Sequence, residues 1–275
     1  MTPETGTTAK TGTTAKTGTT AETGTTETAR PPVAVVSGGT RGIGLAFSRR
    51  LVKLGFQVNA LYRSDEEGAR GAVREVGPRL NTVRVDLSDG ASVVEAAEAV
   101  VAEYGAPVVL VNNAGMNVDR PFLEMSHDDW RRVVDTNLSG VFYLTRALAP
   151  AMVASGTDAT IVNVGATTGI RPRRNGANYC ASKAGLLHLT KCLALELAPR
   201  IRVNCLIPGN TETDELVERF NLNDPDARRG MLDEIPQRRI AAPEEIANAL
   251  EFLVSPNSAY MTGQKLVVDG GQFMW

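Results

Sequence analysis

A tyrosine and a lysine four positions apart form the pair in this chain best suited to proton chemistry. Tyr179 and Lys183 lie in a segment with helical periodicity, so their side chains share one face of a helix. A free phenol has a pKa of about 10, which is too high for efficient proton transfer near neutral pH. A neighbouring ammonium favours the phenolate and lowers that pKa. The pair therefore predicts a Tyr179 that exchanges a proton with a substrate oxygen while Lys183 tunes it.

A glycine-rich loop connects the first predicted strand to a helix. It reads Ser37-Gly38-Gly39-Thr40-Arg41-Gly42-Ile43-Gly44. Glycines in such a loop allow a tight turn and a close approach of the backbone to a pyrophosphate. Unpaired N–H groups at the start of the helix then face the anion. Because the loop follows a strand and opens a helix, it predicts a dinucleotide-binding site.

The end of the second predicted strand bears on which nicotinamide dinucleotide is bound. An acidic residue there would bind the ribose 2′-hydroxyl and repel a 2′-phosphate. Here Arg63 and Ser64 follow the strand, and no acid occurs before Asp65. Arg63, together with Arg41 of the glycine-rich loop, is suited to clamp a 2′-phosphate. The pattern predicts NADP(H); the alternative is that both guanidiniums are merely solvated.

Short apolar runs alternate with helical patterns after residue 32. The runs predict strands at 33–36, 58–61, 82–85, 108–111, 160–164, 201–206 and 265–268. Helical patterns occupy 42–54, 91–104, 127–154, 177–198 and 243–254. Alternating strands and helices form βαβ units. We predict an α/β protein with one Rossmann-type, doubly wound domain over residues 31–275, in which helices cover both faces of a seven-stranded parallel sheet.

Residues 1–30 differ from the rest of the chain in composition. Fourteen of them are Thr, the hexad Thr-Gly-Thr-Thr-Ala-Lys fills 5–10 and 11–16, and no Val, Ile, Leu or aromatic residue precedes Val33. Such a segment cannot offset its ordering entropy by burial, so we expect a disordered extension. The alternative is an arm that binds a partner or clasps an oligomer.

The overall composition excludes several classes of function. The 275 residues include 29 basic and 31 acidic ones, which argues against binding to nucleic acid or an anionic membrane. No apolar stretch approaches the roughly 20 residues that span a bilayer, and no signal-peptide core is present. Two histidines and three cysteines without metal-type spacing predict no metal site. Reduced thiols favour a cytoplasmic location.

Taken together, the motifs resemble those of the short-chain dehydrogenase/reductase family, including its 3-oxoacyl-(acyl carrier protein) reductases and ketoreductases. The resemblance covers residues 33–272, with Ser37 where the family usually has Thr. Besides the cofactor loop and the Tyr-Lys pair, the matches are Asp86-Leu87, Asn112-Asn113-Ala114-Gly115, Asn137 and Pro208-Gly209 with Thr213.

The resemblance implies roles for individual residues. Tyr179 would be the proton donor, Lys183 its tuner and the anchor of the nicotinamide ribose, and Asn137 would order a proton-relaying water. It further implies a homotetramer in which the helices of Asn137 and Tyr179 pack against symmetry mates. The residues expected to hold NADP(H) are Ser37, Gly38, Thr40, Arg41, Gly42, Ile43, Gly44, Arg63, Ser64, Asp86, Leu87, Asn113, Ala114, Gly115, Tyr179, Lys183, Pro208, Gly209, Thr211 and Thr213.

One family position is altered. A Ser thirteen residues before the catalytic Tyr normally polarises the substrate carbonyl, and here that position is Ala166. Loss of such a donor costs on the order of 10²–10³ in rate. Ala166 is an engineered change, or Thr167 supplies the hydroxyl, or the substrate needs less polarisation. The alternation of side chains along an extended segment counts against Thr167.

Two segments bear on the substrate. The Arg171-Pro172-Arg173-Arg174 loop is either solvated or recognises an anionic group. Residues 211–235 look like the family's substrate lid, with an apolar side. The leading hypothesis is an NADPH-dependent reductase of a small-molecule ketone, such as a polyketide or quinone. The alternatives are a 3-oxoacyl-thioester reductase and, from another class, a cofactor-binding regulatory or structural protein with vestigial activity.

Overall fold

The computed structural model describes residues 30–274, and the predictions made for residues 1–29 lie outside that range. From Pro31 onward these residues form one compact unit. Within it, seven parallel strands build one sheet in the order β3-β2-β1-β4-β5-β6-β7. The strands are β1 Val33–Ser37, β2 Gln57–Tyr62, β3 Leu80–Arg84, β4 Pro107–Asn112, β5 Ala159–Val164, β6 Ile201–Pro208 and β7 Lys265–Val268. The predicted Rossmann-type α/β sheet is confirmed.

Helices cover both faces of the sheet. On one face, α1 (Gly42–Lys53), α2 (Glu66–Val76) and α9 (Pro243–Val254) bury an apolar cluster against it. On the other face lie α3 (Gly90–Tyr104), α5 (Gly140–Ala154) and α6 (Ala177–Leu197). The strands are nearly continuous in apolar residues because each of their two faces meets a helical layer.

Helix α2 was missing from the predicted elements. Five of its eleven residues are charged and two are Gly, so few apolar residues mark its buried face. Only Ala69 and Ala72 are buried in it. The helix begins because the Asp65 carboxylate accepts a hydrogen bond from the Gly68 N–H at 2.8 Å. That cap was the local signal for this helix.

No helix was predicted within the segment 211–235, and the structure has two there. It contains α7 (Asp214–Arg219), capped by Thr213, and α8 (Pro225–Asp233), capped by Asp224. The two short helices pack around a small apolar cluster of Leu222, Ile235 and Ile240. The segment therefore has a core of its own, separate from the two clusters on the sheet.

The long helix predicted at 127–154 is interrupted. It consists of α4 (His127–Val134), a π-helical turn at Asp135–Ser139, and α5. A π turn inserts one extra residue into a helix and often occurs at functional sites. Here the turn carries Asn137.

The strand order reverses between β1 and β4, so the loops after these strands diverge and leave a crevice at their carboxyl ends. The loops after β5 and β6 open on the same edge of the sheet. Among the described helices, none has both the length and the apolar character needed to cross a bilayer.

Candidate active site

A cleft of about 800 Å³ lies at the carboxyl ends of the strands. The glycine-rich loop, the ends of β2 to β6, and helices α7 and α8 form its walls. Tyr179 and Lys183 both line it, as do Arg41 and Arg63. The fold thus brings the proposed proton-transfer pair and the proposed phosphate-binding arginines into one cavity.

Hydrogen bonds tie the glycine-rich loop to the end of β4. The buried Ser37 hydroxyl accepts from the N–H groups of Asn113 and Ala114, both at 3.0 Å. The Asn113 amide in turn donates to the carbonyl oxygen of Ser37 at 3.0 Å. Ser37 does not itself line the cleft. Its hydroxyl therefore positions the loops that do.

The loop has no room for side chains at the point where it turns into α1. A Cβ added at Gly44 would lie 1.9 Å from the carbonyl oxygen of Gly38, and one at Gly38 would lie 3.1 Å from the Cα of Ala114. Gly38 also has a φ of +63°. The backbone therefore forms a bare, concave surface at a helix N-terminus, and this cradle fits the pyrophosphate of a dinucleotide.

The far end of the cleft carries basic groups beyond the cradle. Arg41, Arg63 and Ser64 line it, and so does Asp65. The Asp65 carboxylate is engaged as the cap of α2. Asp86 also lines the cleft, and the Ser88 hydroxyl and backbone N–H, together with Arg63, lower the pKa of its carboxyl. The arrangement leaves two guanidiniums where a ribose 2′ substituent would lie.

Tyr179 and Lys183 lie on one face of α6, with the Lys183 ammonium 5.8 Å from the centroid of the Tyr179 ring. The ammonium donates a 2.7 Å hydrogen bond to the carbonyl oxygen of Val164, at the end of β5. Burial raises the pKa of Tyr179 to about 12, an effect to which Glu215 adds. Burial also lowers the pKa of Lys183 to about 8. Without cofactor, burial thus outweighs the lowering of the Tyr179 pKa expected from the sequence.

Asn137 is buried beneath this pair. Its amide oxygen accepts from the Met116 N–H at 2.8 Å, and its amide nitrogen donates to the Met116 carbonyl at 2.9 Å. Gly115 separates it from Lys183, since a Cβ added there would lie 3.4 Å from the Asn137 oxygen and 3.6 Å from the lysine nitrogen. Asn137 lies behind the residues that line the cleft. It holds the loop after β4 against α6, the helix that carries Tyr179 and Lys183.

The altered family position lies on the cleft wall. Ala166 is extended, with φ −155° and ψ 153°, and precedes a 3-10 turn at Thr167–Gly169. Ala166, Thr167 and Thr168 all line the cleft. The Thr168 hydroxyl is buried and has no hydrogen-bond partner among the described residues. Thr167 was one of three explanations left open for the altered position, whereas the unpartnered hydroxyl belongs to the next residue.

The loop at 171–174 does not present three free guanidiniums to the cleft. Arg171 stacks on the ring of Phe273 at 5.4 Å. Arg174 is exposed. Only Arg173 lines the cleft, and its guanidinium binds Asp119 through two hydrogen bonds of 2.8 and 2.7 Å. The structure therefore leaves this loop poorly suited to bind an anionic substrate.

Sequence reasoning missed an ionic network at the mouth of the cleft. Asp119 binds Arg173 and also Arg219, so one carboxylate joins the loop after β4 to both the loop before α6 and helix α7. Burial opposes ionisation of Asp119, but the two arginines outweigh it and lower the pKa of that carboxyl. Asn117 donates to Glu215 at 3.3 Å. These partners are far apart in the chain, and no local motif marks them.

Asn178 was also missed. Its buried side chain donates to the carbonyl oxygens of Val118 and Asp129, at 2.9 and 3.1 Å, and accepts from the N–H of Tyr179 at 2.7 Å. It thus fixes the start of α6 against α4 and the loop after β4. Its position directly before the tyrosine was the one available signal.

The remaining predicted residues divide between the cleft and its surroundings. Pro208, Gly209 and Thr213 line the cleft, and Thr213 also caps α7. Thr211 does not line it; its hydroxyl donates to the Gly209 carbonyl at 3.1 Å. The predicted cofactor residues of the glycine-rich loop from Gly38 onward, of 86–87 and of 113–115 all line the cleft. A sheet of this order, with a phosphate cradle and a Tyr-Lys pair at its switch point, is the architecture of a Rossmann-type oxidoreductase.

The chain belongs to the short-chain dehydrogenase/reductase family. A family model described as enoyl-(acyl carrier protein) reductase matches residues 38–272. The chain is 40% identical over 245 residues to 3beta-hydroxysteroid dehydrogenase 1 of Eggerthella lenta, covering 88% of this chain and 93% of that protein. It is 38% identical over 243 residues to 3-oxoacyl-(acyl-carrier-protein) reductase FabG of Escherichia coli, covering 88% and 97%.

A solved structure has the same fold. The short-chain dehydrogenase/reductase described as glucose/ribitol dehydrogenase, from Brucella melitensis, superposes with a TM-score of 0.83 at 30% identity. The match covers 90% of this chain and 98% of that one. The family expectation drawn from the motifs is thereby confirmed.

Proposed function

We propose that this protein is an NADPH-dependent reductase of a bulky, largely apolar ketone. The observation that carries the proposal is the placement of Tyr179 and Lys183 in one cleft with the glycine cradle and the lid. A proton donor, a cation and a phosphate site then surround a single cavity. That combination is what reduction of a carbonyl by a dinucleotide requires.

The cofactor preference follows from charge. Arg41 and Arg63 line the end of the cleft beyond the cradle, and the nearby Asp65 carboxylate is engaged as a helix cap. Two guanidiniums match the charge and geometry of a 2′-phosphate.

Lys183 is proposed to hold the nicotinamide ribose. An ammonium has three N–H donors, and Lys183 uses one of them on the Val164 carbonyl oxygen. The other two are available to the hydroxyls of the nicotinamide ribose.

The chain's own residues move the proton. When bound, the reduced nicotinamide supplies the hydride that reaches the carbonyl carbon. Tyr179 donates its hydroxyl proton to the carbonyl oxygen, and the alcohol forms. The phenolate left behind is reprotonated from solvent along the side of the cleft that Lys183 occupies. Gly115 separates Lys183 from Asn137, which lies deeper on that side. Asn137 serves this step by holding that side of the cleft in place. We propose that the proton relay through ordered water ends at its side chain.

The lining of the lid side favours an apolar substrate. Leu216 of α7, Phe220 directly after that helix, Met231 of α8 and Phe273 near the C-terminus line the cleft there. The relative from Eggerthella lenta is named for a hydroxysteroid substrate, which is bulky and apolar. We therefore extend the proposed substrate class to alicyclic ketones, beside the polyketide and quinone types.

The test is turnover with purified protein. We expect oxidation of NADPH with an alicyclic ketone or quinone in a substrate panel, and slower turnover with NADH. Tyr179→Phe should abolish the reaction while NADPH binding, measured by fluorescence or calorimetry, is retained. NADPH binding without turnover on any panel member would instead favour a regulatory or structural protein.

Reduction of a 3-oxoacyl thioester is the second candidate. The 38% identity to the Escherichia coli FabG over 97% of its length favours it. A 3-oxoacyl thioester belongs in the same panel, in both its carrier-bound and its coenzyme A forms. A kcat/KM for the thioester at least tenfold above that for any alicyclic ketone would decide for this candidate.

We also propose a homotetramer. Phe142 of α5 is 50% exposed, and a shallow apolar depression joins it to Leu138, Gly185 and Leu189, spanning α5 and α6. A second copy packing on this face would bury it. Light scattering coupled to size-exclusion chromatography measures the assembly, and a monomeric mass would contradict the proposal.

A further inference from the structure

Arg173 places its guanidinium over the ring of Tyr179. The guanidinium carbon lies 5.5 Å from the ring centroid, and both side chains line the cleft. A guanidinium at this distance is attracted to the ring face and favours negative charge on the phenol oxygen. The side chain thus acts on the group that transfers the proton.

The guanidinium is held from three sides. Its two terminal nitrogens donate to the two oxygens of Asp119, and one of them also donates to the Asn117 oxygen at 3.0 Å. Gly176 provides the third side, because a Cβ added there would lie 2.8 Å from the guanidinium carbon. The absence of a side chain at position 176 therefore lets the guanidinium occupy its place beside the ring.

Other charged and titratable groups surround the phenol. They are Lys183 and Cys180 on its own helix, Asp119 on the loop after β4, Arg173 on the loop before α6, and Glu215 and Arg219 on α7. Burial and Glu215 raise the pKa of Tyr179, while Arg219 and Arg173 act in the opposite direction. Arg219 extends from the lid, whereas Arg173 is fixed next to the catalytic helix.

We infer that Arg173 is a positioning residue that supports the negative charge developing at Tyr179 and the substrate oxygen, in a cleft where Ala166 supplies no hydroxyl for that charge. The inference rests on the proposed function, because it assigns Tyr179 the proton transfer. On this inference, the charge of Arg173 partly offsets the loss of the serine hydroxyl. A clamped guanidinium supplies from one side the electrostatic stabilisation that a hydroxyl gives directly.

The pH dependence of alcohol oxidation is the first measurement, because that direction requires the phenolate. Arg173→Gln should move the apparent pKa of kcat/KM upward by about 0.5–1 unit, because a cation near the phenol is removed. The shift is smaller than for an unpaired arginine, since Asp119 already neutralises part of the Arg173 charge. Arg173→Lys keeps a charge and should restore part of the shift. Glu215→Gln removes an opposing charge and should move the same pKa downward.

Two further variants separate charge from structure. Arg171→Gln removes a charge from the same loop, where the arginine stacks on Phe273 and does not line the cleft, and should leave the pKa in place. Gly176→Ala keeps every charge but displaces the guanidinium, and should reproduce the upward shift. Since φ at Gly176 is −120°, alanine fits the backbone there. Thermal unfolding verifies that each variant is folded.

The second measurement needs no substrate. With oxidised cofactor bound, phenolate absorbance is titrated in the near ultraviolet, and the curve of Tyr179→Phe is subtracted. The same upward shift in Arg173→Gln supports the inference even if the substrate class proposed above is wrong. Full turnover in Tyr179→Phe would overturn the proposed function, whereas an unmoved phenolate pKa in Arg173→Gln overturns the role of Arg173 alone.

A double-mutant cycle tests the link to the missing serine. Arg173→Gln should lower kcat about tenfold in the natural background and about threefold or less in the Ala166→Ser background. The new serine hydroxyl would then stabilise part of the developing negative charge. Equal effects in both backgrounds would overturn the compensation. A downward or absent shift in Arg173→Gln, or shifts of the same sign in Arg173→Gln and Glu215→Gln, would overturn the electrostatic role.

Discussion

The Lys183 ammonium donates a 2.7 Å hydrogen bond to the carbonyl oxygen of Val164, so α6 is tied to the last residue of β5. Val164 is followed by Gly165 and Ala166, and all three line the cleft. The bond places a buried ammonium in the cleft wall beside the strand end that leads to Ala166. A single contact thus links the sheet, the altered serine position and the proton-transfer pair.

The charge state of Lys183 predicts a pH dependence of cofactor binding. Burial lowers the pKa of this lysine to about 8, so its charge is lost as pH rises through that value in the protein without cofactor. We expect the Kd for NADPH to rise several-fold above about pH 8, because a neutral amine holds the ribose less well than an ammonium.

Calorimetry or fluorescence titration between pH 6 and 9.5, roughly 2 units below and 1.5 above that pKa, measures this step. Lys183→Met should bind NADPH more weakly at all pH values and should show no step. A step of the same size in Lys183→Met would assign it to another group.

The cradle predicts a strict requirement for glycine at position 44. A Cβ there would lie 1.9 Å from the Gly38 carbonyl oxygen and 2.6 Å from the Asn113 amide nitrogen, and both atoms belong to the walls of the phosphate site. Gly44→Ala should destabilise the fold by about 1–3 kcal/mol and weaken NADPH binding at least about tenfold, because the loop must move to relieve the overlap.

Gly71→Ala is the matched control. Gly71 lies in α2 with its nearest neighbour, the Arg74 side chain, 3.8 Å from an added Cβ. Alanine there should stabilise the helix by about 0.5–1 kcal/mol and leave NADPH affinity unchanged. Urea unfolding and NADPH titration on both variants give the comparison. Unchanged NADPH affinity in Gly44→Ala would remove the cradle from the cofactor site.

The cofactor preference predicts a selective loss. Arg63→Ala should weaken NADPH binding roughly 10- to 100-fold, the effect of one charge-assisted contact to phosphate, and NADH binding less than about twofold. Arg70→Ala is the control, because Arg70 is an exposed arginine of α2 that pairs with Glu66 at 2.7 Å and does not line the cleft. Equal losses for both dinucleotides in Arg63→Ala would contradict the assignment of a 2′-phosphate.

Local patterns predicted the parts of this protein that local forces determine. Buried parallel strands are continuous apolar runs, and Tyr179 and Lys183 share a helix face because they are four residues apart. The strands and the pair could therefore be predicted from the sequence. Helix α2 was not, because only two of its residues, Ala69 and Ala72, are fully buried and its N-terminal cap is one side chain. The π turn at Asp135–Ser139 was also missed, since its residues do not differ in type from those of an α-helix.

The network around Arg173 lies beyond the reach of any local pattern. Asp119 binds arginines 54 and 100 positions away, and these contacts exist only once the loops after β4, β5 and β6 meet at one sheet edge. The role of Gly176 could not be predicted from the sequence either. Its lack of a side chain leaves space for the Arg173 guanidinium, which folds back over it. The loop at 171–174 was read by its charge alone, and charge does not reveal which guanidinium is already paired.

The last prediction concerns the hydroxyls after Ala166. Thr167 and Thr168 both line the cleft, but it is the Thr168 hydroxyl that is buried and lacks a partner within residues 30–274. An unpaired buried hydroxyl costs free energy, and a rotation of the Thr168 side chain about χ1 would bring it to a substrate oxygen in the cleft. Thr168→Val, which keeps the shape and removes the hydroxyl, should therefore lower kcat/KM for the ketone about three- to tenfold, the effect of one neutral hydrogen bond.

Without substrate the same change should leave the free energy of unfolding unchanged or slightly higher, because it removes an unsatisfied group. Thr167→Val is the paired variant, and the hypothesis drawn from the sequence makes it the more damaging of the two. Steady-state kinetics on both variants decides between them. A loss confined to Thr167→Val would return the donor role to that residue, while full activity in both would leave the polarisation of the carbonyl to the charges around Tyr179.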